Sequence, residues 1–186
     1  MPSPIGHALG GLAAGWAVTP PARDRRSLVT QAAIFAALGA APDLDLLIGR
    51  HHYEAHSVGA AILAGLLAAW MRWPIGRGRW RISLAAAAAW ASHPLLDMLA
   101  PDHSPPIGVM AFWPFSRGFY ITGIEIFLPI ARQWRRPGVI AWDARAGLRE
   151  MLILVPLVGL VWWIRTRTRR THDRSSGRGA RHSPSA

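Results

Sequence analysis

The chain contains no lysine and no cysteine. Without cysteine there are no disulfides, thiolate metal sites or cysteine nucleophiles. All 21 basic side chains are arginine, set against only 10 acids, for a formal net charge of +11. Yet 51% of the 186 residues are hydrophobic, and ten are tryptophan. A disordered basic protein is excluded, because such chains lack the apolar content to collapse. A soluble nucleic-acid binder would spread its arginines over the surface of a fold, whereas these arrive in bursts, so nucleic acid is not an expected partner. The length suits one domain or a small bundle.

The bursts are Arg23–Arg26, Arg72–Arg81, Arg132–Arg136 and the segment from Arg165 to Arg181. Between them lie runs rich in Ala, Leu, Gly and Trp, the pattern of a polytopic membrane protein whose apolar spans are punctuated by arginine loops. The runs are Ile5–Val18, Leu28–Ile48, Ser57–Met71, Ile82–Leu99 and Met151–Ile164. Ser3-Pro4 reads as an N-cap and first-turn proline, and Trp162-Trp163 as an interfacial anchor. The expected architecture is an all-α transmembrane bundle of about five crossings in residues 1–164. Phe119–Ala131, interrupted by Glu125 and Pro129, is expected as a short interfacial or re-entrant helix. Residues 165–186 have the composition of a disordered, arginine-rich tail. Placing the 23–26 and 72–81 bursts and the tail in the cytoplasm satisfies the positive-inside rule, with the 132–136 burst as the exception. The bilayer is thus the expected partner.

Six of the eight histidines lie between His7 and His103, mostly in or beside apolar runs. An ionisable group in a span costs several kcal/mol unless paired or bound to metal. In the five-crossing scheme these groups fall on one side. His7 stands at the outer start of the first run, and Asp43 and Asp45 at the outer end of the second. His51, His52 and His56 lie in the next outer loop, with His93 and Asp97 at the outer end of the fourth run. Imidazoles and carboxylates converging on one face are the donor set of a divalent metal. His93 and Asp97, four apart, share a helical face. Pro42 ends the preceding helix, so both aspartates are free to turn inward from a loop.

Plainer readings exist for each group alone. His7 reads as a packing histidine, His93/Asp97 as a structural pair, and Asp43/Asp45 as a cap. Asp102, His103 and Ser104 before Pro105-Pro106 read as turn chemistry. The joint placement favours metal. A serine-hydrolase reading fails because Ala55-His56-Ser57-Val58-Gly59 falls short of a nucleophile elbow, and no strand precedes the serine.

The ordered set Ser3-Pro4-Ile5-Gly6-His7, Pro42-Asp43-Leu44-Asp45, His51-x4-His56-Ser57 and His93-Pro94-Leu95-Leu96-Asp97 resembles the YdjM-like family of inner-membrane-associated, metal-dependent hydrolases. The likeness covers roughly residues 3–120, including the Asp102–Ser116 segment. It departs at His52, where many members carry arginine, and at Glu54-Ala55, so His52 and Glu54 are left out of the expected site. A more distant likeness, to the zinc-dependent phospholipase C type, implies that Asp43, His56, His93 and Asp97 hold one ion and that His7 and Asp97 contribute to a second. Asp45 and His51 would be further ligands or orienting partners, and Asp45 the candidate general base. The expectation is therefore an inner-membrane hydrolase with one or two divalent ions, zinc by ligand type, acting on a phosphoester or lipid-type substrate. The alternatives are a metal-handling transporter or a non-catalytic membrane protein.

Overall fold

The computed structural model describes residues 1–71, 78–103, 105–131, 135 and 137–179, with side chains through 168. Arg72, Arg77, Ser104, Arg132, Arg136 and Arg181 therefore lie outside the described residues. Among the described residues there are five α-helices and no strand: α1 (Pro4–Val18), α2 (Arg25–Ala40), α3 (Val58–Trp70), α4 (Arg79–Met98) and α5 (Val139–Gly179).

Local chemistry sets the helix ends. Ser3 caps α1 by accepting from the Gly6 amide, with Pro4 in the first turn. Asp24 caps α2 through the Ser27 amide at 2.8 Å, and Ser57 caps α3 through the Ala60 amide at 3.1 Å. Helix α2 stops at Ala40, and a 3-10 turn, Ala41–Ile48, carries the Pro42-Asp43-Leu44-Asp45 sequence to Gly49, whose φ of 69° closes the turn.

Helix α4 is the central element and packs against α1, α2 and α3. Its Ala85, Ala86 and Ala89 are buried; Ala85 and Ala89 form a core with Trp16 and Phe35. Helices α1 and α2 cross at Gly11 and Gly39. A Cβ on Gly11 would meet the Gly39 Cα at 2.6 Å, the small-residue contact that lets two backbones touch. Helix α5 joins α1 through Glu150, a fully buried carboxylate that accepts from the Ser3 amide at 2.7 Å and from the Ser3 hydroxyl.

The five-crossing expectation is corrected by length. Among the described residues only Arg25–Ile48, 24 residues, and Val139–Thr168, 30 residues, are long and apolar enough to span a membrane. At about 1.5 Å per residue, the 15 residues of α1 and the 13 of α3 fall short of the roughly 30 Å hydrocarbon core. Helix α4 has the length, but Arg79 and Arg81 open it and His93 and Asp97 sit in its last turns. The expected interfacial helix at Phe119–Ala131 is also absent: that stretch is irregular, and Tyr120 pairs antiparallel with Val109. Its backbone is occupied elsewhere, since the Thr122 amide donates to Met98 and those of Ile126 and Phe127 to Leu99. Helix α5 starts at Val139, twelve residues before the expected run at Met151, and passes without a break through the 164/165 boundary to Gly179.

Because the α1–α2 contact is backbone on backbone, Gly11→Ala should cost about 1–3 kcal/mol, read as a lower melting temperature in detergent. Gly147→Ala, where an added Cβ meets nothing within 4 Å, should be neutral or stabilise by up to about 1 kcal/mol.

Candidate metal centre

The up-and-down course of the chain brings four helix ends together. His7 comes from the first turn of α1, Asp43 and Asp45 from the 3-10 turn after α2, His56 from the short turn before α3, and His93 and Asp97 from the last turns of α4. His7, His56 and His93 are completely buried, and Asp97 nearly so.

Four donor atoms converge: His56 Nε2, His93 Nε2, Asp43 Oδ1 and Asp97 Oδ2. The two ring nitrogens are 3.0 Å apart. Asp43 Oδ1 lies 3.8 Å from His56 and 3.5 Å from His93. Asp97 Oδ2 lies 3.5 Å from His56 and 3.3 Å from His93. Zinc binds nitrogen and oxygen at about 2.0–2.1 Å, so the edge of a tetrahedral zinc site is about 3.3–3.4 Å. The five separations bracket that value, and the donors that are all mutually close form two overlapping groups, Asp43/His56/His93 and His7/His93/Asp97.

The ring orientations suit the same task. His93 Nδ1 donates to the Gly39 carbonyl at 2.7 Å, which leaves the Nε2 lone pair for the cluster. That carbonyl is in place because Gly39 sits at the α1–α2 crossing. His56 Nδ1 lies 3.0 Å from Asp45 Oδ2, again turning Nε2 inward. His7 stacks on His93 with ring centroids 3.6 Å apart, and its Nε2 is 3.3 Å from Asp97 Oδ1. The two oxygens of Asp97 thus face different imidazoles, as a bridging carboxylate would.

Seven buried atoms here have no hydrogen bond of acceptable geometry: both ring nitrogens of His7, Asp43 Oδ1, Asp45 Oδ2, His56 Nδ1 and both oxygens of Asp97. Each such group costs about 1–3 kcal/mol when left unsatisfied. The residues therefore fit a bound cation, which would satisfy the carboxylate oxygens and imidazole lone pairs together. At His56, burial opposes protonation, but Asp43 and Asp45 outweigh it and hold the imidazole above its ordinary pKa.

The expected ligands separate into two groups. His7, Asp43, His56, His93 and Asp97 form the cluster. Asp45 and His51 stand one layer out: Asp45 Oδ1 is 2.8 Å from His51 Nδ1 while its other oxygen faces His56. With both oxygens against imidazoles, Asp45 has the place of a positioning residue. Sequence reasoning missed His52, Asp102 and Glu150. His52 is buried, with Nδ1 3.5 Å from Asp102 Oδ2. Burial, then the neighbouring His51, push its pKa down to about 4.

Beside this layer opens a cavity of about 720 Å³, lined by His51, His52, Asp102 and His103 and by apolar residues that include Ile130 and Trp142.

The sequence model of a family described as YdjM inner membrane protein matches residues 1–171. No curated protein and no solved structure matches the chain, and the expected likeness to the zinc-dependent phospholipase C type is not shown.

Replacing His93 or Asp97 by alanine should abolish stoichiometric zinc in protein purified in detergent, measured by elemental analysis. Asp45→Asn should keep the site but weaken zinc about 10–100-fold in chelator competition, the usual effect of losing a partner that orients a ligand.

Proposed function

The chain belongs to the YdjM inner membrane protein family, and from that premise we propose that it is a multi-pass, membrane-bound metal-dependent hydrolase acting on a phosphoester or lipid-type substrate. The observation that carries this reading is the four-atom convergence of His56, His93, Asp43 and Asp97, buried at one end of the bundle and adjoined by a cavity.

Asp43, His56, His93 and Asp97 hold one divalent ion, zinc by donor type, and His7 with Asp97 Oδ1 marks the place of a second. A divalent ion in such a site supplies Lewis acidity, lowering the pKa of water to about 7 and polarising a phosphoryl or acyl oxygen. The protein's own residues keep the donors aimed. Gly39 fixes the His93 tautomer, and Asp45 holds His56 and His51 in orientation. The cavity combines a polar wall of His51, His52 and Asp102 with an apolar wall of Ile130 and Trp142, which suits an amphiphile with an anionic head.

The charge distribution supports a membrane setting with this end on the outer face. Arginines at the opposite end include Arg25, which opens α2, and Arg79, which opens α4, and Arg165 Nη2 donates to the Val18 carbonyl at 3.0 Å, while Arg50 and Arg149 lie at the cluster end. The Arg81 carbonyl accepts from Thr19 beside Val18. Leu63, Leu66, Leu67 and Trp70 on α3, and Leu152, Val155 and Leu160 on α5, are exposed, as expected of lipid-facing surfaces rather than of a soluble monomer.

Zinc-loaded protein in detergent, assayed against phosphomonoesters, phosphodiesters and lipid-linked phosphoesters, should turn over at least one class, and His93→Ala and Asp97→Ala should remove that activity. Binding of zinc without turnover of any class would overturn the hydrolase reading while leaving the metal centre intact.

A further inference from the structure

We infer that Glu150 on α5 is a positioning residue for His7: it sets the affinity of the second ion, between His7 and Asp97, without governing the first. The inference rests on the two-ion form of the hydrolase reading above.

An ionisable group inside an apolar span costs several kcal/mol unless it is paired. Glu150 lies within Val139–Thr168, one of the two stretches able to span a membrane, and is completely buried. Its partners are two donors of a single residue. Oε1 accepts from the Ser3 amide at 2.7 Å, and Oε2 accepts from the Ser3 hydroxyl. Ser3 Oγ in turn accepts from the Gly6 amide at 3.0 Å, so the hydroxyl that caps α1 is itself held by the carboxylate. A Cβ on Gly6 would meet Oε2 at 2.6 Å. The carboxylate therefore lies directly on the first turn of α1, at the positive end of the helix dipole.

His7 stands one turn on from Ser3, and its amide donates to the Ser3 carbonyl at 3.0 Å. The other two imidazoles of the cluster are aimed through their rings. His93 Nδ1 meets the Gly39 carbonyl at 2.7 Å, and His56 Nδ1 faces Asp45 at 3.0 Å. Neither ring nitrogen of His7 has a hydrogen bond of acceptable geometry, so the direction of its ring follows from where its backbone stands. That backbone is fixed on two sides. The His7 carbonyl lies so close to Gly39 that a Cβ there would clash with it, and Ser3 is tied to Glu150. Asp45 orients a ligand through a side-chain contact, whereas Glu150 orients one through the start of a helix.

The four residues of the first ion are carried by other elements. Asp43 comes from the 3-10 turn, His56 from the turn before α3, and His93 and Asp97 from α4. Loss of the Glu150 contact thus shifts His7 relative to Asp97 Oδ1, which lies 3.3 Å from His7 Nε2, while the first donor set keeps its spacing.

Full-length protein in detergent is titrated with zinc against a competing chelator, and the two stepwise affinities are read separately. The wild type should take up two ions per chain. Glu150→Ala should weaken the second ion about 10–100-fold and leave the first within about twofold. Ser3→Ala, which removes the hydroxyl from the same contact, should move the second ion in the same direction, and it reports on the contact even where Glu150→Ala does not fold. Leu154→Ala is the control for loosened packing. Leu154 is buried one turn further along α5, in a core with Leu96 and Phe127, so its truncation should lower the melting temperature and leave the second affinity as in the wild type. Equal weakening of both ions, an unchanged second ion in Glu150→Ala or Ser3→Ala, or the same selective loss in Leu154→Ala would overturn the role of Glu150 while the two-ion reading stands. Uptake of a single ion by the wild type would overturn both.

Discussion

The structure depends on how charge is compensated where water is excluded. Three imidazoles and two carboxylates meet at one end of the bundle, and His7, His56 and His93 are fully buried. An uncompensated buried ion costs several kcal/mol even after relaxation, a large share of the 5–15 kcal/mol by which a folded chain is stable. One cation bound among Asp43, Asp97, His56 and His93 would remove most of that cost. The surrounding design serves the same end. The Gly11–Gly39 crossing brings a carbonyl to His93, the Pro42 break frees two aspartates from helical spacing, and Ser3 and Glu150 fix the start of α1 from which His7 projects.

The coming together of these residues was legible in the sequence because they sit at alternating helix ends. In an antiparallel bundle the N-terminus of the first helix, the C-terminus of the second, the N-terminus of the third and the C-terminus of the fourth share one end. His7, Asp43, His56 and Asp97 follow that order. The His93-x-x-x-Asp97 spacing and the stop signal at Pro42 are local rules that tertiary packing had no reason to override. What lay beyond sequence depended on partners far apart in the chain. His52 gains its buried place from Asp102 and Met110, some fifty residues on, and Glu150 gains its role from Ser3, 147 residues away. The different surroundings of Asp43, facing His56 and His93, and of Asp45, facing His51 and His56, arise from the 3-10 turn and have no signature in composition.

The crossings were over-counted for a related reason. Apolar content identifies surfaces that avoid water, and it does not separate lipid-facing helices from helices buried against their neighbours. Ala85, Ala86 and Ala89 are apolar because α4 is the core of the bundle, while Leu63, Leu66 and Trp70 are apolar on an outer face. The segment 119–131 illustrates the converse: its apolar side chains accompany a backbone whose amides pair with Met98 and Leu99, so no helix forms.

X-ray absorption at the zinc edge of protein loaded with one equivalent of zinc tests the buried centre most directly. A first shell of nitrogen and oxygen only, at about 2.0–2.1 Å, with outer-shell scattering from two imidazoles, is the expected result. A shell containing sulfur, a shell of water oxygens without imidazole, or failure to retain zinc would contradict a centre built by Asp43, His56, His93 and Asp97.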